Sequence, residues 1–166
     1  GLLSRYPVLE EAVVMPQSDS NLHLRAVLDV NGTPVTVFVA HPPSPTAPFS
    51  ALHYNDGPRN TELAVLREWV AAERGPVLVL CDCNMSDQSD AYRAMDALLD
   101  DAHRAAGRGF GFTFPYGRTF PPPLVRFDYV WYGEGFTALD VYPAEGSGSS
   151  DHRPVVAELA LDAEGS

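Results

Sequence analysis

One short segment constrains the fold of this chain more than any other, an apolar run over residues 77–81 that stops abruptly at Asp82. A continuous apolar run of this length is typical of a strand that is covered on both faces. The preceding residues 60–74 have the apolar spacing of an amphipathic helix, with Glu62 on its polar side, and the Gly-Pro pair at 75–76 ends it. A helix that leads into a buried strand indicates an α/β or α+β domain.

Other segments of the chain also have strand character. Residues 22–30 alternate with a period of two, which puts Leu24 on one face and His23 on the other, and the turn signal Asn31-Gly32 follows them. Together with the β-rich residues that follow the turn, this pattern predicts an antiparallel hairpin. The remaining predictions are a hairpin partner strand at 35–40, strands at 125–131, 137–141 and 155–161, a helix at 90–99 and a long ordered loop at 107–123.

Polar side chains that can do chemistry stand where these predicted strands end. They are His41, Asp82, Asn84, Asp128, Asp151 and His152. Because burying a carboxylate near a sheet is costly unless it is paired or bound to a metal, their repeated placement predicts that all six converge on one pocket. Carboxylate, amide and imidazole groups together favour a hard cation of the Mg²⁺ or Mn²⁺ kind.

Each of these residues also has an ordinary structural interpretation. A lone histidine after a strand, like His41, is more often a packed or solvated residue, and Asp82 and Asn84 are also consistent with caps of a nearby helix. The Asp-His pair at 151–152 is consistent with a polar turn. Asp128 stands among large apolar strand residues, so its carboxylate needs a partner.

The composition excludes several classes of function. Acidic residues outnumber basic ones 22 to 11, all the basic residues are arginines, and the formal net charge is −11. Such a chain repels polyanions, so tight binding of nucleic acid is not expected.

Missing motifs argue against three further classes. The sequence has no Gly-x-Ser-x-Gly elbow of a serine hydrolase, no lysine for a phosphate-binding P-loop, and no apolar run that approaches the 18 residues of a transmembrane helix. Cys81 and Cys83, two positions apart, are predicted to be small buried hydrophobic residues, too close for an ordinary disulfide.

Taken in order, five motifs resemble those of the endonuclease/exonuclease/phosphatase superfamily, whose fold is that of DNase I. Residues 1–7 resemble its strand that ends in Leu-Ser-Arg-x-Pro, and residues 37–41 resemble the strand that delivers its first histidine. Residues 78–84 resemble its Gly-Asp-x-Asn motif, with a cysteine in place of the usual glycine. Residues 126–130 resemble Arg-Ile-Asp-Tyr, and residues 150–155 resemble Ser-Asp-His-x-Pro-Val.

The resemblance implies an α/β (α+β) fold, a four-layer α/β/β/α sandwich, with residues 1–166 as a single domain. The chain begins without Met at the segment that follows the family's first strands, so we expect it to lack those N-terminal strands and their metal-binding Glu. The chain alone is then expected to bind metal weakly and to turn over slowly. The segment at 109–115 resembles bacterial members of the fold, some of them anchored to membranes through an N-terminal region.

Carried over residue by residue, the resemblance also implies catalytic roles. His152 is the imidazole nearest the scissile phosphate, and Asp128 orients it. Asp82 positions or deprotonates the attacking water, and Asn84 holds a phosphate oxygen.

The remaining roles concern the metal and the substrate. Asp151 and Asp82 contact a Mg²⁺ or Mn²⁺ ion, and His41 stabilises charge on the phosphoryl group. The implied function is a metal-dependent phosphoesterase, and the charge favours a small-molecule or lipid-like phosphate ester over DNA. A non-catalytic binding or scaffolding module that keeps the fold is the alternative, and a plain structural α/β domain is a third interpretation.

Overall fold

The structure is a computed structural model that describes residues 1–14, 22–46, 52–117, 122–146 and 148–162. The chain forms two compact units, residues 1–84 and residues 85–166. Both contain helices and paired strands, so the predicted α+β class is confirmed. The single domain over residues 1–166 stays a prediction. No helix among the described residues is long and apolar enough to cross a membrane.

The first unit contains a four-stranded arrangement and one helix. Strands β1 and β2 pair antiparallel, β2 and β3 pair antiparallel, and β3 pairs parallel with β4, the helix being the crossover between those two. The bounds are β1 Val8–Val14, β2 His23–Val30, β3 Thr33–Ala40, α1 Gly57–Ala72 and β4 Val77–Asp82.

The predicted hairpin is confirmed, and its turn has the expected chemistry. Asn31 and Gly32 both have positive φ, 55° and 94°, which few residues other than asparagine and glycine adopt readily. The N–H of Gly32 donates to the Asp29 carboxylate at 2.6 Å. The turn therefore sets the β2–β3 register, which runs from Val30 opposite Thr33 to Leu24 opposite Val39.

Helix α1 buries two charged residues, Arg59 and Glu62, on its apolar stripe. Its buried residues are Arg59, Glu62, Leu63, Leu66 and Val70, a spacing that keeps them on one face. The prediction that Glu62 lies on the polar side is therefore wrong. The carboxylate of Glu62 lies 3.2 Å from the buried imidazole of His23 of β2, a residue that the alternation had also placed on the polar face.

Residues 1–7 differ from the strand that the resemblance implied. The hydroxyl of Ser4 accepts from the N–H of Tyr6 and donates to the carbonyl of the same residue, which forms a local turn. Pro7 has no N–H to give to a ladder. Residues 1–7 therefore form no strand, and the first strand of the structure, β1, begins at Val8.

The described part of the second unit contains two short helices and two strand pairs. Strand β5 pairs antiparallel with β6, and β7 pairs antiparallel with β8. The bounds are α2 Asp90–Asp96, β5 Asp100–Asp101, α3 Ala102–Ala106, β6 Asp128–Tyr132, β7 Phe136–Pro143 and β8 Val155–Leu161.

Most predicted elements of this unit are present with shifted bounds. The strand predicted at 125–131 begins at Asp128, because Val125 instead forms an isolated bridge with Phe114. The helix predicted at 90–99 ends at Asp96. Within the predicted loop at 107–123, residues 118–121 lie outside the described residues.

The two cysteines correct another prediction. Cys81 and Cys83 form a disulfide, and both are buried. Cys81 lies in β4 and Cys83 directly follows its last residue, and their Cα atoms lie 5.1 Å apart, within the range that a disulfide spans. Sequence proximity alone therefore did not exclude the bridge.

Candidate active-site residues

The ends of β3 and β4 bring two predicted site residues together in the first unit. The strands run parallel, with Ala40 opposite Cys81, so that His41 and Asp82 follow at the same edge. Nε2 of His41 lies 3.4 Å from Oδ2 of Asp82, with 61% of the histidine side chain and 22% of the aspartate side chain exposed. A solvent-facing imidazole beside a half-buried carboxylate can donate to, or exchange a proton with, a bound molecule.

Asn84 lies next to Asp82 on a tight turn with a φ of 48°. Its N–H donates to Oδ1 of Asp82 at 3.2 Å, and its amide Nδ2 donates to the carbonyl of Pro42 at 3.0 Å. Its Oδ1 accepts from the hydroxyl of Ser44 at 2.9 Å. The interpretation of Asp82 and Asn84 as caps of the following helix is wrong, because Ser89 caps α2.

Asp128 and His152 form a close pair in the second unit. Nδ1 of His152 lies 2.7 Å from Oδ2 of Asp128, and about a fifth of each side chain is exposed. The carboxylate at the start of β6 thus has the partner that the sequence required. The His152 ring also packs at 4.9 Å from the ring of Phe114, which restricts its rotation.

Asp151 has an exposed side chain, and its backbone is fixed from a different part of the unit. Its carbonyl accepts from the N–H of Tyr116 at 2.7 Å, while the N–H of Arg153 donates to the carbonyl of Thr113 at 2.9 Å. These bonds hold His152 from both sides along the chain. A cavity of about 330 Å³ opens here, lined by Asp128, Gly146, Ser150, His152, Arg153 and Pro154.

The structure therefore divides the six predicted residues into two groups of three, one group in each unit. His41, Asp82 and Asn84 lie together in the first unit, and Asp128 and His152 form a hydrogen-bonded pair in the second, beside Asp151 in sequence. Convergence of both groups on one pocket stays a prediction.

Two buried residues that support the site, Arg59 and His23, were not predicted from the sequence. Arg59 is 4% exposed, and its Nη1 donates to the carbonyl of Asn84 at 2.8 Å. Buried His23 accepts the backbone N–H of His41 on its Nδ1 at 3.3 Å. A signal for Arg59 was present, because it precedes Leu63 by four residues on the apolar stripe of α1. For His23 no such signal exists, because its partners are distant in sequence.

The comparisons with known proteins agree with this arrangement of motifs. A family model described as "Endonuclease/Exonuclease/phosphatase family" matches residues 1–152. A comparison with curated proteins found no match.

Solved structures share the fold of this chain. A functionally unknown conserved protein from Enterococcus faecalis is 18% identical, with a TM-score of 0.76 over 94% of this chain. An endonuclease/exonuclease/phosphatase from Bacteroides vulgatus is 21% identical, with a TM-score of 0.73 over 95% of this chain. A mannosyl-6-phosphatase from Bacteroides thetaiotaomicron is 15% identical, with a TM-score of 0.73 over 94%. The chain spans 67% of the length of each of the three.

Proposed function

Because the chain belongs to the endonuclease/exonuclease/phosphatase family, we propose that it is a divalent-metal-dependent phosphoesterase. The family's members are nucleases and phosphatases, which are hydrolases of phosphate esters. In the reaction that we propose, a water molecule attacks phosphorus in line with the leaving oxygen. Such a reaction needs an oriented water, donors for the phosphoryl oxygens and compensation of the developing negative charge.

The observation that carries the proposal is the Asp128–His152 pair at the rim of a cavity. A carboxylate that accepts from Nδ1 fixes the tautomer and orientation of the imidazole and stabilises its cation. In this arrangement Nε2 of His152 is the atom that we assign to the phosphoryl group. Arg153, which lines the same cavity, is a cation that also holds the carbonyls of Pro143 and Ala144.

The first unit supplies the other roles. We assign the attacking water to Asp82, whose carboxylate is oriented by the N–H of Asn84. We assign charge stabilisation on the phosphoryl group to His41, which lies beside that carboxylate. An amide nitrogen carries two hydrogens, so the bond from Asn84 to Pro42 is compatible with a second bond to a phosphate oxygen.

The donor chemistry of the chain fits a hard divalent cation. Asp82 and Asp151 offer carboxylate oxygens, the ligand type that Mg²⁺ and Mn²⁺ prefer, while both cysteine sulfurs are in a disulfide. We propose that Asp82 and Asp151 hold the ion. When bound, it neutralises charge on the phosphoryl oxygens.

The charge of the chain favours a small-molecule or lipid-like phosphate ester over DNA. A net charge of −11, without any lysine, repels the phosphate backbone of a nucleic acid at long range. A compact phosphate ester brings only one or two charges to the site, so the long-range repulsion that it meets is much smaller.

Turnover of a chromogenic phosphodiester and of the matching monoester tests the proposal. We expect activity with Mg²⁺ or Mn²⁺, its loss in EDTA, and a loss of about 10²-fold or more in Asp82→Asn and in His152→Ala. Glu158→Gln removes an exposed carboxylate of β8 and should leave the rate unchanged. Full activity in EDTA would exclude the metal, and binding of phosphate esters without turnover would favour the binding-module alternative.

A further inference from the structure

The backbone of His41 is held by a side chain where the β2–β3 ladder ends. The last paired residues at this end are Leu24 and Val39, and β3 itself stops at Ala40. One residue further, the N–H of His41 donates to Nδ1 of His23 at 3.3 Å. The imidazole of His23, which is 1% exposed, therefore replaces a strand partner for this backbone group.

The opposite nitrogen of the same ring contacts a buried carboxylate. Nε2 of His23 lies 3.2 Å from Oε2 of Glu62 on α1, within ion-pair distance, although neither atom makes a hydrogen bond among the described residues. Because Nδ1 accepts a hydrogen bond from His41, the proton of the neutral ring is on Nε2, which faces the carboxylate. The negative charge of the carboxylate attracts this proton and so favours the tautomer in which Nδ1 accepts.

Burial favours the neutral form of His23, the form in which Nδ1 can accept a hydrogen bond. It lowers the pKa of His23 below its ordinary value of 6.5, against the attraction of Glu62, and a positive charge on His41 lowers the pKa further. Among the residues that the structure describes, Glu62 and His41 are the charged groups that act on the ring. His23 is consequently neutral at neutral pH, and its Nδ1 remains an acceptor.

We propose that Glu62 and His23 are positioning residues that hold His41 opposite Asp82. The proposal rests on the catalytic role given above to His41. The side chain of His41 is 61% exposed, and the position of its backbone decides whether its imidazole reaches Asp82, 3.4 Å away. The chain of contacts runs from α1 through β2 to the end of β3, and no member except His41 is expected to touch substrate.

Two substitutions of His23 test the roles of its two ring nitrogens separately. In His23→Asn the amide oxygen falls near the position of Nδ1 and can accept from His41, whereas the amide of His23→Gln reaches the position of Nε2 and Glu62. We expect the Asn variant to keep kcat within about threefold and the Gln variant to lose about tenfold or more, with KM changed little, because a displaced reacting group costs rate rather than affinity. Equal losses of kcat in the two folded variants would overturn the proposal.

A spectroscopic measurement on the unsubstituted chain tests the anchor without reference to activity. We expect a scalar coupling between the backbone nitrogen of His41 and Nδ1 of His23 across the hydrogen bond in ¹⁵N NMR. We also expect slow exchange of the His41 amide, about tenfold faster in His23→Gln. Absence of the coupling, or an unchanged exchange rate in that variant, would overturn the proposal.

The two measurements also separate this inference from the proposed function. If His41→Ala keeps full phosphoesterase activity, the catalytic role of His41 fails and the positioning proposal fails with it, although the coupling remains. If His41→Ala is inactive but His23→Gln is fully active, the proposed function stands and only the positioning role is refuted.

Discussion

His152 is an imidazole whose direction is set by one short contact and one aromatic neighbour. Its Nδ1 lies 2.7 Å from the Asp128 carboxylate, and the ring of Phe114 packs against it. The sequence indicated that the Asp128 carboxylate needs a partner, because it stands among apolar strand residues, and the family resemblance implied that this partner is His152. The residue that restricts the ring, Phe114, belongs to a loop held by its isolated bridge to Val125 and by the bond from the N–H of Arg153 to Thr113, contacts that local patterns do not show.

The first prediction concerns the charge of Asp128. Asp128→Asn keeps the size of the side chain but removes the charge that stabilises the imidazolium of His152, and it weakens the preference for one tautomer. We expect kcat on a phosphodiester to fall by about 10²-fold or more, with the fold retained.

Steady-state kinetics and circular dichroism of the same preparation check this prediction. Glu158→Gln is the matched control, since it removes an exposed carboxylate from β8. Unchanged kcat in a folded Asp128→Asn variant would show that the pair is structural.

At the scale of elements, strands with a clear pattern were predictable and short elements were not. The hairpin of β2 and β3 and the buried strand β4 follow from alternation, a turn signal and an apolar run. Strand β5 has two residues and α3 has five, too few for any periodicity to appear. The order of the strands depends on contacts between distant segments, which local patterns do not encode.

The second prediction concerns an ion pair that joins β2 to the end of α1. Arg25 donates to Glu73 from Nε at 2.5 Å and from Nη2 at 2.9 Å, and less than a quarter of either side chain is exposed. The hydrogen bonds from Arg25 lower the pKa of Glu73 from its ordinary value of 4.5, against burial, with help from Thr36. We expect Glu73→Gln to cost roughly 1–3 kcal/mol in the free energy of unfolding at pH 7.

The sign of the pH dependence follows from the lowered pKa. The unfolded state takes up a proton before the folded state does, so the stabilisation is complete above pH 4.5 and is lost as the pH falls through the lower folded pKa. Urea unfolding of the native chain and of Glu73→Gln at several pH values measures this loss. Glu68→Gln, an exposed position of α1, is the control, and a difference between native and Glu73→Gln that does not shrink in acid would contradict the prediction.

The third prediction compares two helix caps in the second unit. Ser89 caps α2 by accepting from the N–H of Tyr92, whereas Asp101 caps α3 and also lies 2.6 Å from the buried guanidinium of Arg126. The hydroxyl of Tyr92 donates to the same carboxylate at 2.8 Å, and burial, followed by this bond, raises the pKa of Tyr92 to about 12.

Loss of the two caps should therefore differ in size. Ser89→Ala removes one hydrogen-bond acceptor and should cost about 1 kcal/mol. Asp101→Ala leaves the guanidinium of Arg126 buried without its nearest carboxylate, and should cost roughly 3–5 kcal/mol. Urea midpoints with a common m-value measure both, and equal losses would mean that Asp101 acts as a cap alone.

At the scale of the whole molecule, the sequence motifs reach from the first unit into the second. Three predicted site residues lie in residues 1–84 and three in residues 85–166. Their order along the chain identified the family, whereas the contacts that support each of them come from helix faces and loops without a sequence signature.

The expectation that both groups act on one phosphate is best tested with a double substitution, since the effects of substituting residues that act as one unit are strongly non-additive. We expect Asp82→Asn and His152→Ala combined to reduce kcat little more than either alone.

The last prediction concerns the net charge of −11. At low salt the field of the chain extends about 10 Å or more into solution and repels a polyanion, whereas a compact phosphate ester meets much less repulsion. We expect kcat/KM for a single-stranded oligonucleotide to lie below that for a small phosphodiester at 20 mM salt, about tenfold or more. Added salt screens the repulsion, so the oligonucleotide value should rise with ionic strength while the small-ester value changes little. A protein that attracts DNA through phosphate contacts shows the opposite slope, because salt weakens its binding. Measurement of kcat/KM for both substrates over the same salt series, at constant free Mg²⁺, separates the two cases. A fall in the oligonucleotide value with salt would indicate a cationic path on this acidic chain, and a nuclease rather than a small-molecule phosphoesterase.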